Sequence, residues 1–165
     1  MEYDGITELL KAAPKRMDDA RELLEQPSRE QNRSDSAYRH NCGAQYLAGY
    51  AVECVLKAYI IDRTDAERRV RTRTWSEVLE FRRKNRKLPD LSGAKSHDLG
   101  KLLQASNLSA IMDTDRDLKT NWGICCKWKP SLRYLPVPLT DRAATEEMVD
   151  ACHRVYRWLH GQVQA

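Results

Sequence analysis

The chain has little from which to build a sheet. Phenylalanine occurs once in 165 residues, and no run of β-branched side chains alternates with polar ones at the strand period of two. Repeats and low-complexity tracts are absent as well. Five cysteines are an odd number, and none stands in a Cys-x-x-Cys pair. That argues against a disulfide framework and against an ordinary zinc site. The opening residues MEYDGITELL are acidic and lack the basic-then-apolar order of a signal peptide. One stretch, Cys42 to Ile61, approaches the length of a membrane span, but Gln45, Glu53 and Lys57 interrupt it. The expectation is a soluble, cytoplasmic chain with no membrane partner, no metal and no cofactor. Its net charge of +4 is small, so a polyanionic partner does not follow from composition.

What the chain does have is helical periodicity. The run Ala37 to Asp62, AYRHNCGAQYLAGYAVECVLKAYIID, reads as one long helix with two apolar stripes. Tyr38, Cys42, Gly49, Val52, Leu56 and Ile60 form the first stripe. Leu47, Tyr50, Cys54, Ala58 and Ile61 form the second, roughly opposite. A surface helix needs one such face, so this helix is central or also serves an interface. The second stripe motivates a homodimer. Gly43 and Gly49 cost helix propensity, and with Ala48 they suit the close approach of another helix. Glu53 and Lys57 stand at i,i+4 in the favourable order, and Glu53 needs that partner or another to be buried.

Other segments carry the same signal. Ile6, Leu9, Leu10, Ala13, Met17, Ala20 and Leu24 keep helical spacing, with Pro14 kinking the segment or starting its second part. Gln26–Ser36 is a polar connection whose serines offer caps for the long helix. Thr74-Trp75-Ser76-Glu77 has capping-box spacing and opens a short helix that stops near Pro89. Ser96 caps a helix carrying Leu99, Leu102 and Leu103. A last helix runs from about Thr140 to His160 with Met148, Ala151, Cys152, Val155 and Leu159 as its core stripe. The fold class is all-α: an antiparallel bundle of about four to five helices in a single domain over residues 1–165.

Charge is concentrated in a basic connection at about 63–95. From Arg63 to Lys87 there are ten basic residues, including Arg68, Arg69, Arg71 and Arg73, against four acidic ones. With Trp75 and Phe81 among them, the segment could grip a phosphate backbone and stack on bases. The alternative is a solubilising arm or a surface that docks a partner protein.

Three segments together resemble the HEPN domain family. They are LAGYAVECVLKAYI (Leu47–Ile60), SHDLGKLL (Ser96–Leu103) and WKPSLRY (Trp128–Tyr134). The resemblance implies a helical bundle that pairs into a homodimer. Many members cleave RNA without a metal, as toxins or defence factors, often beside a nucleotidyltransferase-type antitoxin. Others have lost catalysis and serve as dimeric binding modules. In active members an Arg and a His on the last helix face each other across the dimer cleft. The matching positions here are Arg154 and His160, and the residue after the Arg, often polar in active members, is Val155. An imidazole can move the proton of a ribose 2′-hydroxyl, and a guanidinium can hold the scissile phosphate. The substrate would be RNA, which alone supplies that hydroxyl.

His153, Arg157 and His160 share one face of the last helix, away from the core stripe, either as a solvated face or as part of that site, with Arg157 a further candidate for RNA contact. His153 and His160 lie about 10 Å apart along the axis, too far to share one ion. His97 and Asp98 read as capping residues. Arg133 and Tyr134 read as positioning residues for the last helix. Cys125 and Cys126 read as buried small apolar groups.

Overall fold

The computed structural model describes residues 5–25, 34–68, 74–134 and 141–163, and within the second stretch the side chains of 41–64. Among these residues there are seven α-helices and no strand: α1 (Ile6–Glu25), α2 (Ser34–Arg68), α3 (Trp75–Lys84), α4 (Leu99–Ser106), α5 (Ser109–Met112), α6 (Arg116–Cys125) and α7 (Arg142–Val163). Two 3-10 turns, Gly93–His97 and Pro130–Tyr134, stand before α4 and α7. All five expected helices are present, and α5 and α6 are additional. Pro14 lies inside a continuous α1.

α2 is the axis of the molecule. Every side chain from Ala51 to Ile61 is buried, so the helix has no solvent side along three turns. α1, α3, α4, α7 and the turn Pro130–Tyr134 all pack on it. Of the second stripe, Cys54, Ala58 and Ile61 are buried within this one chain, and Leu47 and Tyr50 are half-buried. The stripe is therefore consumed by the chain's own core and does not itself require a second copy.

A few contacts fix the helix directions. Leu23 near the end of α1 meets Gly43 near the start of α2, while Gly5 bridges Thr74 beyond the far end of α2. α1 and α2 are thus antiparallel. The Arg142 guanidinium at the start of α7 donates to the Leu24 carbonyl, so α7 also opposes α1. α2 and α7 consequently point the same way, joined by Gln45 Nε2 donating to Thr145 Oγ1 at 3.1 Å.

Side-chain caps start the shorter helices. Thr74 and Glu77 form the expected capping box, with both reciprocal hydrogen bonds present. α4 begins on Asp98, whose Oδ1 accepts the Lys101 N–H at 3.0 Å, and not on Ser96. Ser96 instead donates to the Gly93 carbonyl inside the preceding 3-10 turn, so the helix starts two residues later than expected. Asp115 caps α6 in the same way, accepting from Leu118 N–H at 2.9 Å.

Gly49 does not serve a helix–helix contact. A methyl group placed there would stand 2.2 Å from the Trp128 ring, which lies flat on α2 and donates Nε1–H to the Tyr46 carbonyl at 3.1 Å. Tyr46 continues the stack, with ring centroids 6.3 Å from Trp128 and 5.9 Å from Tyr50. Gly49→Ala should therefore overpack the indole and lower stability by about 1–3 kcal/mol. A urea midpoint equal to that of the wild type would show that Trp128 is not held as described.

Candidate functional site

The outer face of α7 carries the residues expected to be catalytic. Its buried stripe is Thr145, Met148, Val149, Ala151, Cys152, Val155 and Leu159. Arg154 and Arg157 lie off that stripe and are exposed, while His153, Tyr156 and His160 are half-buried along its edges. The His160 ring sits against Tyr156, with centroids 5.7 Å apart. Six residues of helix separate Arg154 from His160 by about 9 Å along the axis and about 120° around it. The backbone thus sets the two groups apart on the face of α7. His153 is turned toward α1. Burial lowers its imidazole below the ordinary 6.5, and Arg21 and Arg157 add to the shift against the opposing carboxylates of Asp150 and Asp18.

The basic segment is divided among different environments. Arg69, Arg71, Arg73 and the side chain of Arg68 lie outside the described residues. Arg63 belongs to the last turns of α2, over the Tyr59 ring at 5.9 Å. Arg82 is buried and donates to the Ala105 carbonyl at 3.2 Å, so it ties α3 to α4 and is not presented to a ligand. Trp75 is buried under the Lys57 ammonium, 5.1 Å from the ring centroid, and cannot stack on a base. Arg83, Arg86 and Lys87 are exposed, and Lys84 pairs with Glu80 at 2.7 Å. The expected connection thus includes the end of α2 and the whole of α3.

A second cluster, built from residues that sequence pattern alone assigns to capping and packing, forms where the segments Leu47–Ile60, Ser96–Leu103 and Trp128–Tyr134 approach one another. Glu53, 1% exposed, accepts from Lys57 Nζ at 2.7 Å. Its two oxygens also face His97 Nδ1 at 3.0 and 3.1 Å, from 44 residues further along the chain. His97 is therefore anchored to α2 and does not cap α4. A few residues along α2, Arg133 Nη1 donates to the Tyr46 hydroxyl at 3.4 Å, and its guanidinium stacks 4.5 Å from the Tyr134 ring. Tyr134 is 72% exposed. Between the segments opens a cavity of about 460 Å³ lined by His97, Asp98, Cys126, Trp128, Lys129 and Pro130, among others. The signal for the partnership with His97 was Glu53 itself, a carboxylate whose two oxygens one lysine does not satisfy.

The adjacent cysteines part company. Cys125 is buried, its thiol against Cys152 of α7, and that contact with burial raises it. Cys126 is exposed, against expectation, at the rim of the cavity. Among the described residues no three His, Cys, Asp or Glu side chains converge as a metal ion would need, and no helix is long and apolar enough to cross a membrane.

Comparison of the chain with known protein families, with characterised proteins and with solved structures finds no match.

The lowered imidazole of His153 makes a pH prediction. The folded chain binds this proton less readily than the unfolded chain, so its contribution is complete above the ordinary 6.5 and is lost as pH falls below it. His153→Gln should flatten that decline in denaturation midpoints. A variant that keeps the full decline would place the responsible group elsewhere.

Proposed function

We propose that this chain is a HEPN-like protein that acts on RNA as a homodimer and cleaves it without a metal ion. The observation that carries the reading is that Arg154, Arg157 and His160 all lie clear of the buried stripe of α7. A cationic face bearing an imidazole is available on a helix whose other side is fixed in the core. The resemblance suggests a site shared by two copies, with His160 of one protomer opposite Arg154 of the other, and the spacing of the two residues along α7 suits that arrangement. α7, and not the second stripe of α2, is the surface for that pairing. A nucleotidyltransferase-type antitoxin is the partner that the resemblance suggests for the same surface or for the basic segment.

In the proposed reaction His160 takes the proton of a ribose 2′-hydroxyl. The 2′-oxygen bonds to phosphorus, the bond from phosphorus to the 5′-oxygen of the next nucleotide breaks, and that oxygen takes up a proton from water. Arg154 holds the phosphate and offsets the charge that develops on it. The products are a 2′,3′-cyclic phosphate and a 5′-hydroxyl.

The alternative is a non-catalytic dimeric module that binds RNA or a partner protein. One observation favours it. Val155 is buried in the core at the position that is often polar in active members, and among the described residues no hydrogen bond orients Arg154 or His160.

Purified protein should cleave RNA in the presence of EDTA and leave cyclic phosphate ends. His160→Ala and Arg154→Ala should each abolish cleavage with unchanged helical circular dichroism, since both lie off the core stripe. Intact RNA under these conditions, with no growth defect on expression, would select the module.

The basic segment supplies a separate test. Replacing Arg68, Arg69, Arg71 and Arg73 by Ser should flatten the salt dependence of RNA binding, the log–log slope falling by roughly 0.7 for each phosphate that is no longer neutralised. An unchanged slope would leave the segment without an RNA role.

A further inference from the structure

The cavity beside His97 has the parts of a small-molecule site, and none of them belongs to α7. Its volume, about 460 Å³, falls in the range of roughly 300–1,000 Å³ typical of such sites. Trp128, Leu99 and Pro130 give it apolar wall, while His97 and Lys129 bring basic groups to it.

His97 is held as a functional imidazole would be held. A carboxylate paired with an ammonium can only accept, so Nδ1 must carry the hydrogen that faces Glu53. That leaves Nε2 free of Glu53 on a side chain that lines the cavity and is 45% exposed. Glu53 and Lys57 are fixed in the core of α2, so the ring is oriented by a rigid element. The cationic Lys129 is exposed on the wall formed by the Trp128–Ser131 segment.

Asp98 and Cys126 also line the cavity, and the Asp98 carboxylate opposes an anion on its own side, which leaves the His97 and Lys129 side for an acid group. Asp98 directs Oδ1 to the Lys101 N–H at the start of α4. Cys126 is pushed up to about 11 by loss of solvent, with Cys125 and Asp98 adding to it, so the thiol stays neutral and is a poor nucleophile.

We propose that the cavity binds a small amphipathic organic acid, a phosphate ester or a carboxylate, with its acid group on His97 Nε2 and Lys129 and its apolar body against Trp128 and Pro130. With Nδ1 committed to Glu53, a single proton shared between Nε2 and the acid oxygen makes the hydrogen bond, and the Lys129 ammonium adds its charge.

The test is nitrogen NMR of the imidazoles in the full chain, titrated with phenyl phosphate, with benzoate and with uncharged benzyl alcohol. Saturable displacement of the His97 Nε2 signal by phenyl phosphate alone identifies a phosphate-ester site, and by benzoate alone a carboxylate site. Displacement by both supports the general proposal. Lys129→Ala, at an exposed position, should weaken the acid that binds by on the order of tenfold while leaving the fold intact. No displacement by either acid, equal displacement by benzyl alcohol, or unchanged affinity in Lys129→Ala would overturn it. His97→Asn assigns the signal and should remove binding. If that variant does not fold, the wild-type titration and Lys129→Ala still decide.

Discussion

A carboxylate sits in the middle of a helix that has no exposed side, and much of the structure is arranged to accept it. Glu53 is 1% exposed in a stretch of α2 where Val52, Val55, Leu56 and Ile60 are buried as well. Leaving one member of a buried ion pair without the other costs about 3–5 kcal/mol. Lys57 comes from the same helix at i+4, so it is in reach as soon as α2 forms. Its ammonium is then closed in by the Trp75 ring from the first turn of α3. His97 completes the set from a 3-10 turn far along the chain. One charged pair thereby ties the end of the 3-10 turn and the start of α3 to the same two turns of α2.

The neighbouring turns of α2 solve a different problem. There the helix carries small residues, and the Trp128 indole lies where a Gly49 side chain would be. The ring is held by its own N–H on the Tyr46 carbonyl and by stacking on the Tyr46 ring. This fixes the segment that leads into the turn Pro130–Tyr134, and with it Arg133 over Tyr46. The two anchors, polar at Glu53 and steric at Gly49, are one helical turn apart on α2. The cavity between His97 and Trp128 follows from that spacing.

The long amphipathic elements were legible in the sequence because their periodicity is strong and local. α1, α2, α7 and the Thr74 capping box needed no tertiary information. α6 was not legible: its apolar positions Leu118, Trp122 and Cys125 are few, and Asp115 is one of several acidic residues that could cap. The need of Glu53 for Lys57 was readable from spacing, but its second partner was not, since His97 arrives through the fold. Placing Trp75 and Arg82 with a nucleic-acid surface failed for a related reason. Composition shows an aromatic and a guanidinium in a basic run, but not that the ring covers Lys57 and the guanidinium bonds Ala105.

The two imidazoles singled out by the fold differ in what holds them. His97 has one nitrogen fixed by a buried carboxylate, so its tautomer and direction are set within a single chain. His160 rests against Tyr156 and has, among the described residues, no hydrogen bond that sets either nitrogen. An imidazole transfers protons efficiently when a third group orients it, as a buried carboxylate does in hydrolytic triads. If α7 carries chemistry, the orienting group must therefore come from outside the described chain. A second copy meets that requirement and brings Arg154 at the same time. On the proposed reading the requirement couples assembly to activity: a protomer alone would have its His97 imidazole already oriented and its His160 imidazole still without an orienting group.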